Sequence, residues 1–172
     1  QPDILMRLDV MLDLFPDTRE YESMHGGLSG EADESKQYRV VDVKFSTISL
    51  LKAGTVQAKS EYKTQLDVYN RALGRIQGVV PPIAYLAGRA WKQGDDRIDS
   101  AIERIHPVLM FGDATKGVSL GSLTDQAVAW RRQVQLEGDT WDVFPAPSKP
   151  DLYPNAGNAM DSPWHHAKAE IS

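Results

Sequence analysis

Four polar features of the sequence have residue types that could do chemistry together: Asp9, the triplet Asp42-Val43-Lys44, Gln65 and Tyr69. Asp42 and Lys44 are two residues apart, so on a strand both side chains project from the same face. If Asp9 projects from that face of a paired strand, two carboxylates and an ammonium group converge. Two carboxylates that close repel each other unless a cation lies between them.

Such a group of side chains suits metal-assisted hydrolysis of a phosphodiester. Carboxylate oxygens are ligands that Mg²⁺ or Mn²⁺ prefers, with waters completing the coordination. A lysine beside them can hold the attacking water in line and compensate the charge that develops on a phosphate. An Asp-x-Lys triplet also arises by chance, and Asp42 and Lys44 alone could be an exposed ion pair of little energetic value. The whole ordered series is much less expected by chance.

Alternation of apolar and polar residues predicts the strands that would position these groups. Apolar side chains at 8, 10, 12 and 14 alternate with residues 7, 9, 11 and 13, which predicts a strand over Asp3–Phe15 with Asp9 on its polar face. Tyr38–Ser46 alternates similarly, with Asp42 and Lys44 opposite the apolar face. Between them, residues 16–36 hold six acidic residues against two basic ones and three glycines. This predicts an antiparallel pair joined by a long acidic loop.

The hydrophobic period changes after residue 58. Apolar residues then recur every three or four positions, which predicts a helix over 58–74 with Gln65 and Tyr69 one turn apart on the same side. Pro81-Pro82 ends this segment, and Ile83–Trp91 and Ile105–Phe111 have the composition of further strands. Together these elements predict an α/β fold, a central mixed β-sheet flanked by helices.

The last third of the chain has a different composition. A helix is predicted from Ser122 or Thr124 to about Glu137, and five prolines follow between residues 144 and 163. We therefore predict a core over residues 1–120 and a helical, proline-rich extension over 121–172. The chain opens inside a predicted strand and stops inside a predicted helix, so we expect it to continue into a longer protein.

The three motifs together resemble the PD-(D/E)XK nuclease superfamily, in its RecB-like branch. The pattern of that branch is Gly-x-x-Asp, then Asp/Glu-x-Lys, then Gln-x-x-x-Tyr, which falls here on Met6–Asp9, Asp42–Lys44 and Gln65–Tyr69. The resemblance covers residues 3–91. Asp3 follows Pro2 and matches the family name literally, but Asp9 suits the predicted strand register better.

The resemblance implies a restriction-endonuclease-like fold and a role for each matched residue. Asp9 and Asp42 would bind Mg²⁺ or Mn²⁺ together with the backbone carbonyl of Val43. Lys44 would position the attacking water, and Gln65 and Tyr69 would help to place the metal site and the nucleic-acid backbone. The sequence departs from the pattern at Met6, where the family has glycine. We also expect no counterpart of the family's leading helix within residues 1–172, which hold no cysteine for an iron–sulfur cluster.

Charge and hydropathy limit the partners. A net charge of −5 argues against a protein that coats nucleic acid by charge alone. The stretch from Lys52 to Arg75 is nevertheless locally basic, and it offers four candidate phosphate contacts, or simply a solvated face: Lys59, Lys63, Arg71 and Arg75. No apolar run approaches the ~18–20 residues of a membrane span. We expect DNA and further domains of the same polypeptide as partners, no membrane, and an intracellular location that is cytoplasmic, nucleoid-associated or viral.

These observations predict a metal-dependent deoxyribonuclease acting in DNA repair or recombination. One alternative is a catalytically inactive module of the same fold, used for DNA binding or assembly within a larger protein. Met6 and the missing leading helix favour it. A second alternative is an unrelated α/β interaction domain in which Asp42 and Lys44 form an exposed ion pair.

Overall fold

A computed structural model describes residues 2–28, 33–52, 56–57, 60–98, 104–115 and 117–142. The chain forms two units, residues 1–127 and 128–172. Its elements follow in the order β1 (Ile4–Arg7), α1 (Leu8–Leu14), α2 (Thr18–Met24), a 3-10 helix (Glu34–Lys36), β2 (Tyr38–Leu50), α3 (Ser60–Gln77), β3 (Ile83–Gln93), β4 (Asp96–Ile98), β5 (His106–Leu109), β6 (Asp113–Thr115), β7 (Val118–Ser119), α4 (Leu120–Glu137) and a 3-10 helix (Gly138–Thr140).

A five-stranded mixed sheet organises the first unit. Strands β2 and β3 are parallel and are connected by α3, whereas β1 pairs antiparallel with β2, and β4 and β5 pair antiparallel with β3. A parallel pair needs a crossover connection, and here helix α3 is that connection. The prediction of an α/β fold with a mixed sheet and flanking helices is confirmed.

Helices cover both faces of the sheet. On one face, α3 packs Leu66 and Leu73 against β2 and β3 residues such as Val40 and Leu86. On the other face, α1 packs Leu8, Met11 and Leu12 against Val41 and Tyr85. Because neighbouring residues of a strand point to opposite faces, Val40 and Val41 belong to different cores. Asp42 therefore lies on the α3 face.

The prediction of one long strand over residues 3–15 is wrong, because the strand ends at Arg7 and α1 begins at Leu8. Leu8, Met11 and Leu12 follow a helical spacing and are buried, whereas Leu14, which a strand would have buried, is 62% exposed. The apolar residues of this segment fit both the two-residue period of a strand and the period of a helix. Packing against the sheet favours the helix. The predicted acidic loop likewise contains α2 and a 3-10 helix.

A buried ion pair lies beneath α2. The Arg39 guanidinium donates to both carboxylate oxygens of Glu22, at 2.8 and 2.7 Å, and also to the carbonyl oxygen of Gly27 at 3.0 Å. The Tyr85 hydroxyl donates to Glu22 at 2.8 Å. A Cβ at residue 27 would lie 1.6 Å from Glu22 Oε2, so this position must be glycine for the pair to form.

The described part of the second unit comprises the end of α4 and the second 3-10 helix, where Trp130 and Trp141 stack with ring centroids 5.2 Å apart. The predicted helix ending at Glu137 is present. The predicted proline-rich segment and the helix after Ser162 lie outside the described residues. Among the described helices, none combines the length and apolar character needed to cross a bilayer.

Candidate metal centre

The site is built around Asp42 and Lys44, which β2 places on the face covered by α3. Asp42 is only 2% exposed, and its Oδ2 lies 2.5 Å from the Lys44 ammonium nitrogen. The two charges are in direct contact, and the contact with Lys44 acts to lower the pKa of Asp42. The second alternative required an exposed ion pair here, whereas Asp42 is buried and Lys44 is half-buried.

Helix α3 supplies the next groups in a continuous chain of contacts. Lys44 donates to the side-chain oxygen of Gln65 at 2.8 Å, and the Gln65 amide nitrogen donates to the Tyr69 hydroxyl at 3.0 Å. The Lys44 ammonium also lies over the ring of Tyr62, 4.9 Å from its centroid, in a cation–π contact. Gln65 and Tyr69 meet because residues four apart lie on one side of a helix. The structure thus joins four of the five predicted catalytic residues.

The second carboxylate of the site comes from Asp3. Its Oδ2 accepts a hydrogen bond from the Val43 backbone N–H at 2.8 Å, across the start of the β1–β2 pair. The carboxyl groups of Asp3 and Asp42 are close enough to influence each other's pKa, and Asp3 also senses the charge of Lys44. Asp3 therefore completes the group of two carboxylates and one ammonium that the sequence predicted with Asp9.

Asp9 does not take the position predicted for it. It lies in α1, where its carboxylate accepts hydrogen bonds from Arg7 at 2.6 and 3.0 Å. Arg7 pairs with Tyr38 in the sheet, and Asp42 is four residues further along β2, which corresponds to ~13 Å of strand. The misplacement follows from the end of β1 at Arg7, because the register of a longer strand no longer applies.

The pKa values of the two carboxyl groups are shifted in opposite directions. Burial raises the pKa of Asp42, an effect that Lys44 partly offsets and the neighbouring Asp3 charge reinforces. The hydrogen bond from Val43 lowers the pKa of the exposed Asp3 below its ordinary value. Asp3 therefore stays ionised under conditions in which Asp42 holds its proton more readily. A cation beside both groups would favour the charged form of Asp42.

The donor set at this place fits a hard divalent cation. Asp3 and Asp42 provide carboxylate oxygens, and the N–H and C=O of a strand residue point to the same neighbouring strand, so the Val43 carbonyl lies on the Asp3 side. Oxygen-only ligands of this kind suit Mg²⁺ or Mn²⁺, which keep several waters. Within the described ranges, no three His, Asp or Glu side chains gather as a metal site, so the backbone carbonyl is needed as the third donor.

The four candidate phosphate contacts differ in their exposure and in their ion-pair partners. Arg71 is bound to Asp67 at 2.9 Å and to Asp125 at 2.6 Å, so its guanidinium connects α3 with the start of α4. Arg75 is exposed and Lys63 is half-buried on α3, while Lys59 lies outside the described residues. Arg71 thus has a structural role that the basic stretch did not suggest.

Sequence reasoning missed two residues of this site. Asp3 carried a signal in the Pro2-Asp3 pair, which was outweighed by a strand register that does not exist. The second is Tyr62, whose contact with Lys44 depends on the distance between helix and sheet, for which the sequence holds no signal.

Comparison of the chain with protein-family models, with curated proteins and with solved structures found no match in any of the three. The case for a function therefore depends on the geometry of the site.

The raised pKa of Asp42 predicts a pH-dependent stability difference in the presence of a chelator. A carboxyl group whose folded-state pKa exceeds its unfolded-state value binds protons more tightly when folded, so it destabilises the fold above that pKa and ceases to do so as the pH falls. Relative to Asp42→Asn, the wild type should gain unfolding free energy on acidification from neutral pH. Urea titrations of both proteins across this range measure the difference. A difference that does not vary with pH would contradict the assignment.

Proposed function

We propose that the protein is a metal-dependent nuclease of the restriction-endonuclease-like fold that hydrolyses DNA phosphodiester bonds. The observation that carries the proposal is the continuous group formed by Asp3, Asp42, Lys44, Gln65 and Tyr69. Such a group is hard to explain as a stabilising device. Burying a carboxylate next to a second carboxylate is unfavourable, and a buried ion pair seldom contributes net stability.

Each residue has a task in this proposal. Asp3 and Asp42, with the Val43 carbonyl, would hold Mg²⁺ or Mn²⁺, and the bound ion would supply Lewis-acid polarisation of a phosphate and a lowered pKa of the attacking water. Lys44 holds that water in line with the phosphorus, as its ammonium group lies beside the carboxylates. Gln65 fixes the Lys44 ammonium through its side-chain oxygen, and Tyr69 fixes the Gln65 amide. Tyr62 covers Lys44 from the other side.

Two features favour the alternative of an inactive module for DNA binding or assembly. Met6 stands at the glycine position of the family pattern, and the Lys44 ammonium contacts Oδ2 of Asp42, one of the oxygens that a cation would need. An inactive module predicts DNA binding without divalent-cation-dependent cleavage. Under either function, an intracellular location and further domains in the same polypeptide remain predictions.

Cleavage of DNA by the full chain tests the proposal. Plasmid and single-stranded DNA are incubated with Mg²⁺, Mn²⁺ or a chelator, and products are resolved on gels. We expect cleavage with either cation and none with the chelator. Lys44→Ala should lower the rate by about a hundredfold or more, because it removes the group that positions the water.

Lys92→Ala is the matched control, since Lys92 is an exposed lysine of the same sheet. Its rate should equal that of the wild type. Cleavage that persists in the chelator, or that Lys44→Ala leaves intact, would refute the proposal. DNA binding without any cleavage under these conditions would establish the inactive module instead.

A further inference from the structure

An aromatic side chain lies fully on the surface next to the proposed site. Phe45, the residue after Lys44, is 86% exposed, and Val43 beside it is also exposed. The guanidinium of Arg89 on β3 lies 5.3 Å from the centroid of the Phe45 ring. A partner that covered this ring would remove its apolar surface from water, which is favourable.

The strand is irregular at this point. The β2–β3 register changes between Lys44 and Thr47, where β2 carries one extra residue, as in a β-bulge. Bulges often re-aim side chains next to active sites. Phe45 lies at this irregularity and is exposed, whereas Ile48, beyond it, is buried in the core.

Within the described part of the chain, the edge of β2 is also unpaired here. Strand β1 pairs with β2 only as far as Val41, and among the described residues no strand pairs with β2 on that side between Lys44 and Ile48. Lys44 lies on the α3 face and Phe45 on the opposite face of the same strand. A chain molecule that crosses this open edge would contact both residues.

We propose that Phe45 and Arg89 form a stacking platform for an unpaired base of single-stranded DNA, whose backbone passes around the edge of β2 and brings a phosphate to the group of Asp3, Asp42 and Lys44. Aromatic rings stack on bases of any sequence, and arginine adds attraction for the backbone and the base. A base paired inside a duplex has no free face for such a ring, so the platform selects single strands or frayed ends. The inference rests on the proposed function and names its substrate class.

Charge supports this occupant over an apolar protein partner. Arg89 places a cation beside the ring, which attracts the polyanionic backbone of DNA and finds no counter-charge in an apolar partner. Phe45 also follows Lys44 directly in β2, so a DNA strand that passes around this edge meets both residues.

The test is the binding of fluorescent oligo(dT) to the full chain in a chelator, followed by anisotropy, beside an abasic oligomer of equal length. Phe45→Ala should weaken oligo(dT) binding about tenfold and leave the abasic oligomer unaffected. Phe45→Trp should retain affinity. Ile76→Ala is the control, as Ile76 is a comparably exposed apolar residue at the end of α3.

The outcomes separate this inference from the proposed function. If oligo(dT) does not bind, or if Phe45→Ala affects both oligomers alike or neither, the platform is refuted even where cleavage is intact. If binding depends on bases and Phe45 but no cation supports cleavage, the platform stands and the nuclease proposal fails. An Ile76→Ala effect equal to that of Phe45→Ala would also overturn the platform, because the loss would not be specific to this site.

Discussion

Asp3→Asn is expected to abolish cation-dependent cleavage, whereas Asp9→Asn should leave it within about twofold of the wild type. Asp3 lies beside Asp42 and Lys44, so its loss removes one of the two carboxylates that hold the cation. Metal-based stabilisation of the transition state amounts to several kcal/mol, so a rate loss on the order of a thousandfold or more is expected. Initial cleavage rates at saturating Mg²⁺ measure both variants.

The comparison is a matched one. Both substitutions exchange an aspartate for its neutral isostere near the amino end of the chain, and both carboxyl groups have a lowered pKa. Asp9→Asn removes a surface ion pair with Arg7, which contributes little to stability. If Asp9→Asn loses most of its activity and Asp3→Asn stays active, the second carboxylate is Asp9, as the sequence predicted. The placement derived from the structure is then refuted.

The Mg²⁺-induced rise in thermal midpoint provides a second measurement on the same pair. A cation that binds only the folded state raises the apparent stability by mass action. The rise should vanish in Asp3→Asn and persist in Asp9→Asn. A rise that Asp3→Asn retains in full would show that the cation binds elsewhere.

Much of this geometry could be predicted from the sequence because it depends on local periods. The alternation of β2 placed Asp42 and Lys44 on one face, and the helical spacing of α3 placed Gln65 beside Tyr69. The parallel β2–β3 pair follows from a helix between two strands. These properties involve residues that are close in the sequence, so the spacing of apolar and polar residues is sufficient to predict them.

The remainder depends on contacts between distant segments. Residues 8–15 fit both a strand and a helix, and the packing of Leu8 and Met11 on Val41 decides for the helix. That decision moves the second carboxylate from Asp9 to Asp3. The contact between Lys44 and Tyr62 and the bulge at Phe45 depend on how α3 and β3 lie against β2. No pattern within one segment contains this information.

The ion pair of Glu22 and Arg39 is another such long-range contact, and Glu22→Ala should destabilise the protein by about 3–5 kcal/mol. The substitution leaves the Arg39 guanidinium, which is 1% exposed, without its carboxylate partner, and it also leaves the Tyr85 hydroxyl without its acceptor. A charge buried without a partner is far more unfavourable than the pair it came from. Urea unfolding followed by circular dichroism gives the change in free energy.

Glu20→Ala is the control, because Glu20 lies on the same helix α2 but is exposed, and its effect should stay within about 0.5 kcal/mol. The double variant Glu22→Leu with Arg39→Met tests the cause. If the loss in Glu22→Ala comes from the unpaired charge, removal of both partners should recover a large part of it, since apolar replacements of buried ion pairs are often neutral. A double variant no more stable than Glu22→Ala would show instead that the fold needs the hydrogen bonds of Arg39 to the carbonyl oxygens of Gly27 and Tyr38, and not its charge pair with Glu22.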